Sequence, residues 1–341
     1  MHRLLGRSLV LFSTLALLLA LGSSTALAQY NVTYLTSNLT GKAKHQDPLL
    51  QNPWGLVYCP GGDFWVSDEA DGWSTLYDGM GNPQSLQVVV PTANGTGFGA
   101  PTGIVCDPSS TDFKIDNWPS VFLFATLDGS IQGWSAFNPS ATLVGATSTG
   151  AVYTGLAITN KTSGNTLFAA DSANNKVDMY NSSFKLTGSF TDPAIPAGFA
   201  PFGIQDINGE VYVAYAATNG GSGGYIDIFS ETGSLLKHFA HGKPLNQPWG
   251  FAVAPANFGT FSKALLISNN VANGTINAYS ITTGKLLGTI SNSSGKAIAI
   301  NGLWGIEFGG GTSANGQKNQ LFFTAGPNDT NGYFGAIGVA K

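Results

Sequence analysis

Three kinds of side chain in this sequence could do chemistry. Trp54, Trp249 and Trp304 each stand directly before a glycine. Indole faces stack on sugar C–H surfaces and on cations. Asp68, Asp171 and Asn269 end short apolar runs, where they would hydrogen-bond hydroxyls. Together these six are the candidate ligand-binding residues. His45 and His241, with Asp68 and Asp171, are the candidate metal ligands, able to serve a His-assisted lyase or hydrolase if they share one substrate proton. Each group also has a structural reading. A large residue before Gly can wedge between neighbouring units, and an acid after a strand can hydrogen-bond loop backbone. No motif assigns a cofactor; the candidate is a divalent cation, Ca2+ or similar, held by oxygen ligands. The sequence carries no nucleophile elbow, zinc-protease helix motif or phosphate loop.

The elements that must position these residues follow from an internal repeat. One phrase recurs: a Pro or small residue, an aromatic residue or Thr, Gly, then an alternating apolar strand. Its copies include Asn52-Pro53-Trp54-Gly55, Ala100-Pro101-Thr102-Gly103 and Val152-Tyr153-Thr154-Gly155. The others are Ala200-Pro201-Phe202-Gly203, Gln247-Pro248-Trp249-Gly250 and Gly302-Leu303-Trp304-Gly305. The six glycines stand 47 to 55 residues apart. A unit of about 50 residues suits a four-stranded propeller blade. The third unit predicts strands at Gly155–Thr159, Thr166–Ala170, Val177–Tyr180 and Lys185–Phe190, separated by turn-forming residues such as Asn174-Asn175. The fold class is therefore all-β, a six-bladed β-propeller.

Closure supplies a separate argument. The sixth unit has three strands, the last at Phe334–Val339, and no fourth. A strand without a blade, Asn31–Thr36, precedes the first unit. This N-terminal strand is expected to complete the last blade, because an open ring would leave a bare sheet edge. On this scaffold the two motif sets fall on one face, around the mouth of the channel, where a rigid fold presents functional loops.

Asp47-Pro48, Asn52-Pro53-Trp54-Gly55, Gln247-Pro248-Trp249-Gly250, Gly302-Leu303-Trp304-Gly305 and Phe322-Phe323-Thr324-Ala325-Gly326-Pro327-Asn328-Asp329 resemble an uncharacterised family of secreted bacterial proteins. That family is similar to the NHL and TolB-like six-bladed propellers. The resemblance spans essentially the whole chain after its leader and implies the propeller fold, with no activity attached.

Composition narrows the partners. Charged residues are 10% of the chain, the formal net charge is −4, and no Lys/Arg cluster follows the leader, so nucleic acid is not an expected partner. Residues 1–28 read as a signal peptide: Arg3 and Arg7, then the apolar run Leu9 to Leu21, then Ala26-Leu27-Ala28 as a cleavage site. Residues 29–341 are expected to form one propeller domain, a monomer without a transmembrane segment, in the periplasm or outside the cell. There Cys59 and Cys106, each ending the first strand of a neighbouring unit, either form a disulfide or stay as two buried thiols.

Two functions compete on this reading. The leading one is a secreted binding or scaffold module that engages a glycan, a peptide or a partner protein at the channel mouth. The other is a metal-assisted lyase or hydrolase with its site at the same mouth. A purely structural envelope or matrix protein is a third.

Overall fold

The computed structural model describes residues 29–340, and the expected signal peptide lies outside the described residues. Six antiparallel sheets form six blades, each ordered A to D from the channel outward. Blade one is Pro53–Val57, Phe64–Asp68, Trp73–Tyr77 and Val88–Val89. Blade two is Pro101–Cys106, Phe122–Thr126, Ser130–Trp134 and Leu143–Thr147. Blade three is Tyr153–Ile158, Thr166–Asp171, Lys176–Asn181 and Leu186–Phe190. Blade four is Phe199–Ile207, Glu210–Ala217, Tyr225–Ser230 and Leu235–His241. Blade five is Pro248–Val253, Leu265–Asn269, Ile276–Tyr279 and Leu286–Thr289.

Blade six takes A, B and C from Leu303–Phe308, Leu321–Ala325 and Tyr333–Val339, and D from the N-terminal strand Tyr30–Ser37. The two chain ends pair antiparallel, with Val32 opposite Ile337 and Phe334 opposite Thr36. The short strand His45–Gln46 adds to the outer edge in parallel. Among the described residues no helix is long and apolar enough to cross a membrane.

The B strands explain why the blades stack. They are apolar at successive positions and buried on both faces, as strands covered on both sides must be. Alternation then sends neighbouring residues to opposite interfaces. Phe64 and Val66 pack toward blade six, and Trp65 packs toward blade two. Leu167 and Ala169 join blade two, and Phe168 and Ala170 join blade four. Six apolar clusters result, one at each blade interface, with a seventh on the axis. The D strands, reached last from the axis, leave Leu186, Leu235 and Leu287 exposed. Blades one and two are also joined covalently: Cys59 and Cys106 form a disulfide with Cα atoms 5.4 Å apart.

Candidate functional site

The aromatic–glycine phrase builds the inner wall of the channel. In each blade the pairing of A with B slips at this phrase, as between Pro53 and Leu56, Pro201 and Gly203, and Leu303 and Ile306. Such a bulge re-aims the side chain it carries. The glycine beside it lets the next blade approach. A Cβ on Gly55 would stand 2.5 Å from the carbonyl of Thr102, and one on Gly250 would stand 2.7 Å from that of Trp304. Hydroxyls then stitch the ring. Thr102 donates to the carbonyl of Tyr153 at 2.7 Å, Ser268 to Trp304 at 2.6 Å, and Thr324 to Trp54 at 2.8 Å.

The bulges deliver their aromatic rings to the axis, where they meet one another. Trp54 stacks on Trp304 with centroids 3.7 Å apart, and Trp249 meets both edge-on. Phe202 and Leu127 complete the cluster. Trp249 Nε1 donates to the carbonyl of Thr154 at 2.9 Å, and Trp304 Nε1 donates to Asn52 Oδ1 at 3.2 Å. None of the three indoles is more than 8% exposed. The expectation that Trp54, Trp249 and Trp304 offer open faces to a ligand is therefore corrected. Trp54 and Trp304 stack on each other, Trp249 meets them edge-on and borders the cavity, and together they plug this end of the channel.

Asp171 and Asn269 act inside their own blades. Asp171 Oδ1 accepts from the amides of Val152 and Asn174, and Oδ2 accepts from Asn174 Nδ2 at 2.7 Å. Asn269 Oδ1 accepts from the amide of Asn246, while its Nδ2 donates to Asn277 Oδ1 at 2.6 Å. Both side chains hold the loop that leads into their own blade. Asp68 is fully buried and accepts from the amide and hydroxyl of Thr75. Burial, then the neighbouring charge of Asp71, holds the Asp68 carboxyl well above the usual range, and burial lifts Asp71 to about 7.

The expected metal set does not assemble. His45 lies in the edge strand of blade six, paired with Thr36. His241 ends strand D of blade four and stacks loosely on Tyr225. Among the described residues no three of His45, His241, Asp68 and Asp171 come within ligating distance of one another. They belong to different blades, and the two acids are already engaged, Asp68 by Thr75 of the next strand and Asp171 by the loop into its own blade.

What the ring does enclose is a cavity of about 350 Å3, lying between the tryptophan plug and the loops that follow the A strands. Trp249 floors it, and Leu56, Val57, Ile104, Leu156, Ile204 and Ile306 are among its walls. Pro60, Pro108 and Asn160 line it and are exposed, so the cavity opens to solvent at the end opposite the plug.

Glu307 is the distinctive group on this wall. It is half-buried. Burial raises its carboxyl to about 8, against a smaller opposing effect of the Phe308 amide. The shift favours the protonated form, which can donate a hydrogen bond. Burial followed by the charge of Glu307 lifts Tyr58, also on the wall, to about 12. Asp206 and Gln205 add polar atoms on blade four. Sequence reasoning missed this site, although a signal exists. Two residues after the anchoring Gly, four units carry Val57, Val105, Ala157 or Ala252, while blades four and six carry Gln205 and Glu307.

No family model matches the chain. It is 30% identical over 333 residues to "Uncharacterized protein R648" of Acanthamoeba polyphaga mimivirus, covering 89% of this chain and 78% of the relative. The chain belongs to the same family as that protein. A second mimivirus relative, "Uncharacterized protein L690", is 29% identical over 313 residues, covering 84% of this chain and 80% of its own length. Among solved structures, a streptogramin B lyase superposes with a TM-score of 0.55 at 14% identity, over 93% of this chain and all of that one. A gluconolactonase from Xanthomonas campestris gives 0.53 at 15% identity, over 86% of this chain and 88% of that one. At such identities the likeness shows the propeller fold alone.

Proposed function

We propose that this protein is an exported binding module that takes a small, largely apolar molecule bearing a hydrogen-bond acceptor into the channel cavity. One observation carries this reading: an apolar cavity within the size range of small-molecule sites contains a carboxyl that keeps its proton near neutral pH. In an apolar wall a protonated carboxyl is a directed donor, suited to a carbonyl or ether oxygen. A glycan or peptide remains compatible only as a small end group, since the indoles that would stack a sugar are covered. Export is supported by the leader-like residues 1–28 and by the Cys59–Cys106 bridge, which suits an oxidising compartment. Kinship with secreted bacterial propellers of the NHL and TolB-like kind is part of the same proposal, supported by the repeated Pro-Trp-Gly phrase.

The test is a titration of the purified protein with a panel of lactones, cyclic ketones and amides, followed by tryptophan emission, because Trp249 touches the cavity. At least one compound should give a saturable change that is lost in Val57→Phe, which fills the space, and weakened in Glu307→Ala. Equal binding by wild type and both variants, or binding of no compound, overturns the reading.

A lyase or hydrolase is favoured by the same carboxyl, since a general acid must hold a proton at working pH. Turnover of a bound compound that disappears in Glu307→Gln while binding persists would establish it. A metal-assisted form of that reading needs ligands other than His45, His241, Asp68 and Asp171, which lie apart.

A further inference from the structure

Asp192, Asp227 and His238 meet between blades three and four, and none of them lines the cavity. Asp192 lies in the connection that follows strand D of blade three. Asp227, on strand C of blade four, stands directly across the ladder from His238 on strand D and from Val213 on strand B. Tyr215, two residues beyond Val213, shares that face of the sheet. Four side chains from three strands and one loop are thus brought to one point that no sequence motif marks.

The geometry there is that of a ligand set. One donor atom from each of Asp192, Asp227 and His238 lies within 4.8 Å of the others. His238 Nδ1 is 3.0 Å from Asp227 Oδ1 and 3.3 Å from Asp192 Oδ2. Bonds of about 2.0–2.2 Å around a tetrahedral ion set donors roughly 3.3–3.6 Å apart. The two carboxylates are 3% and 2% exposed, yet among the described residues neither is paired with a lysine or arginine.

An independent observation also points to a missing partner. Asp227 Oδ2 and the hydroxyl of Tyr215 are buried without a hydrogen-bond partner, and Asp192 Oδ2 has only the flank of His238. Tyr215 itself is 0% exposed. Its hydroxyl is raised first by burial and then by the charges of Asp227 and Asp192, which places it beside the pair. Buried oxygens left unsatisfied are costly unless something completes them.

We propose that Asp192, Asp227 and His238 bind one divalent first-row transition ion of the Zn2+ type. One imidazole nitrogen with two carboxylates selects such an ion over Ca2+, which takes oxygen ligands. The His238 side chain is 57% exposed, so solvent reaches the site and water completes the coordination. With the ion in place, the Tyr215 hydroxyl, which has no partner otherwise, would donate to a coordinating carboxylate and orient it. The ion ties the connection between blades three and four to the outer strands of blade four.

The experiment titrates the metal-stripped protein with Zn2+ by calorimetry and follows its melting temperature, with Ca2+ in parallel. Wild type should bind one equivalent of Zn2+ and melt higher, while Ca2+ should do neither. Replacing a ligand should cost at least as much affinity as losing an outer-shell partner, so His238→Ala, an exposed position that spares the core, should bind at least ~10-fold more weakly. Asp227→Asn should lose binding as well, with its circular dichroism confirming that it is folded. Absence of saturable Zn2+ binding by wild type, or His238→Ala binding with unchanged affinity and stoichiometry, overturns the proposal.

Discussion

Gly305 of blade six faces Trp54 of blade one so closely that a Cβ would stand 2.8 Å from the tryptophan's carbonyl oxygen. The last repeat thereby docks on the first by the same contact that joins Gly55 to Thr102, Gly155 to Phe202 and Gly250 to Trp304. A Cβ here would also meet Leu56 at 3.0 Å and Thr324 Oγ1 at 3.1 Å, leaving little room to yield. Gly305→Ala is expected to destabilise the fold by about 1–3 kcal/mol, the usual cost of overpacking. Urea unfolding measures it; an unchanged midpoint would mean that the ring closes some other way.

Trp304 lies at the centre of the plug, stacked on Trp54 and bonded to Asn52. Trp304→Ala should cost about 3–5 kcal/mol, as for other buried aromatic truncations. Titration of wild type with a glycan panel should give no change in indole emission accompanied by protection of Trp54, because the stacked faces are already covered. A sugar that shifts that emission and protects Trp54 from quenching would restore the platform reading.

Cys59 and Cys106 join blades one and two across 47 residues of sequence. Reducing the bridge, or replacing both residues by Ser, should lower unfolding stability by about 2–4 kcal/mol. The comparison is oxidised against reduced protein in guanidinium, and equal stabilities would contradict it.

Stability should also depend on pH through three acids, Asp68 fully buried and Asp71 and Glu307 half-buried. Burial raises Glu307 to about 8 and Asp71 to about 7, and it raises Asp68 strongly. Each group holds its proton more tightly in the folded state than in the unfolded chain. Stability is therefore fully present below the ordinary carboxylate range and is lost as pH rises through the folded values. The slope reaches up to about 1.4 kcal/mol per pH unit for each group while the two states differ by a full proton. Melting temperature should fall between about pH 5 and pH 8, and Glu307→Gln should flatten the upper part of that decline. A wild-type melting temperature that rises over this range would reverse the sign.

Much of the architecture was legible along the chain. The third unit's strands begin and end within one or two residues of their expected positions, and Asn31–Thr36 pairs beside Phe334–Val339 as the missing fourth strand required. Strand D of blade one is the shortest of the six outer strands, with only Val88–Val89 laddered. Its outer edge is irregular, and turn residues there satisfy backbone groups that a longer ladder would have used, as where the Gln84 amide donates to the Leu76 carbonyl.

The six repeats, their order and the need for an N-terminal strand in blade six are properties of a pattern along the sequence, because alternation, turn chemistry and spacing act between near neighbours. Which way the tryptophans face, which end of the channel is open, and what surrounds Glu307 are settled only when six bulges converge on one axis. There the available radius makes the rings touch each other and leaves the space beyond them empty. The grouping of Asp192, Asp227 and His238 has the same origin. Asp227 and His238, 11 positions apart, meet across the ladder of one blade, and Asp192, 35 positions before Asp227, joins them only where blade three packs against blade four.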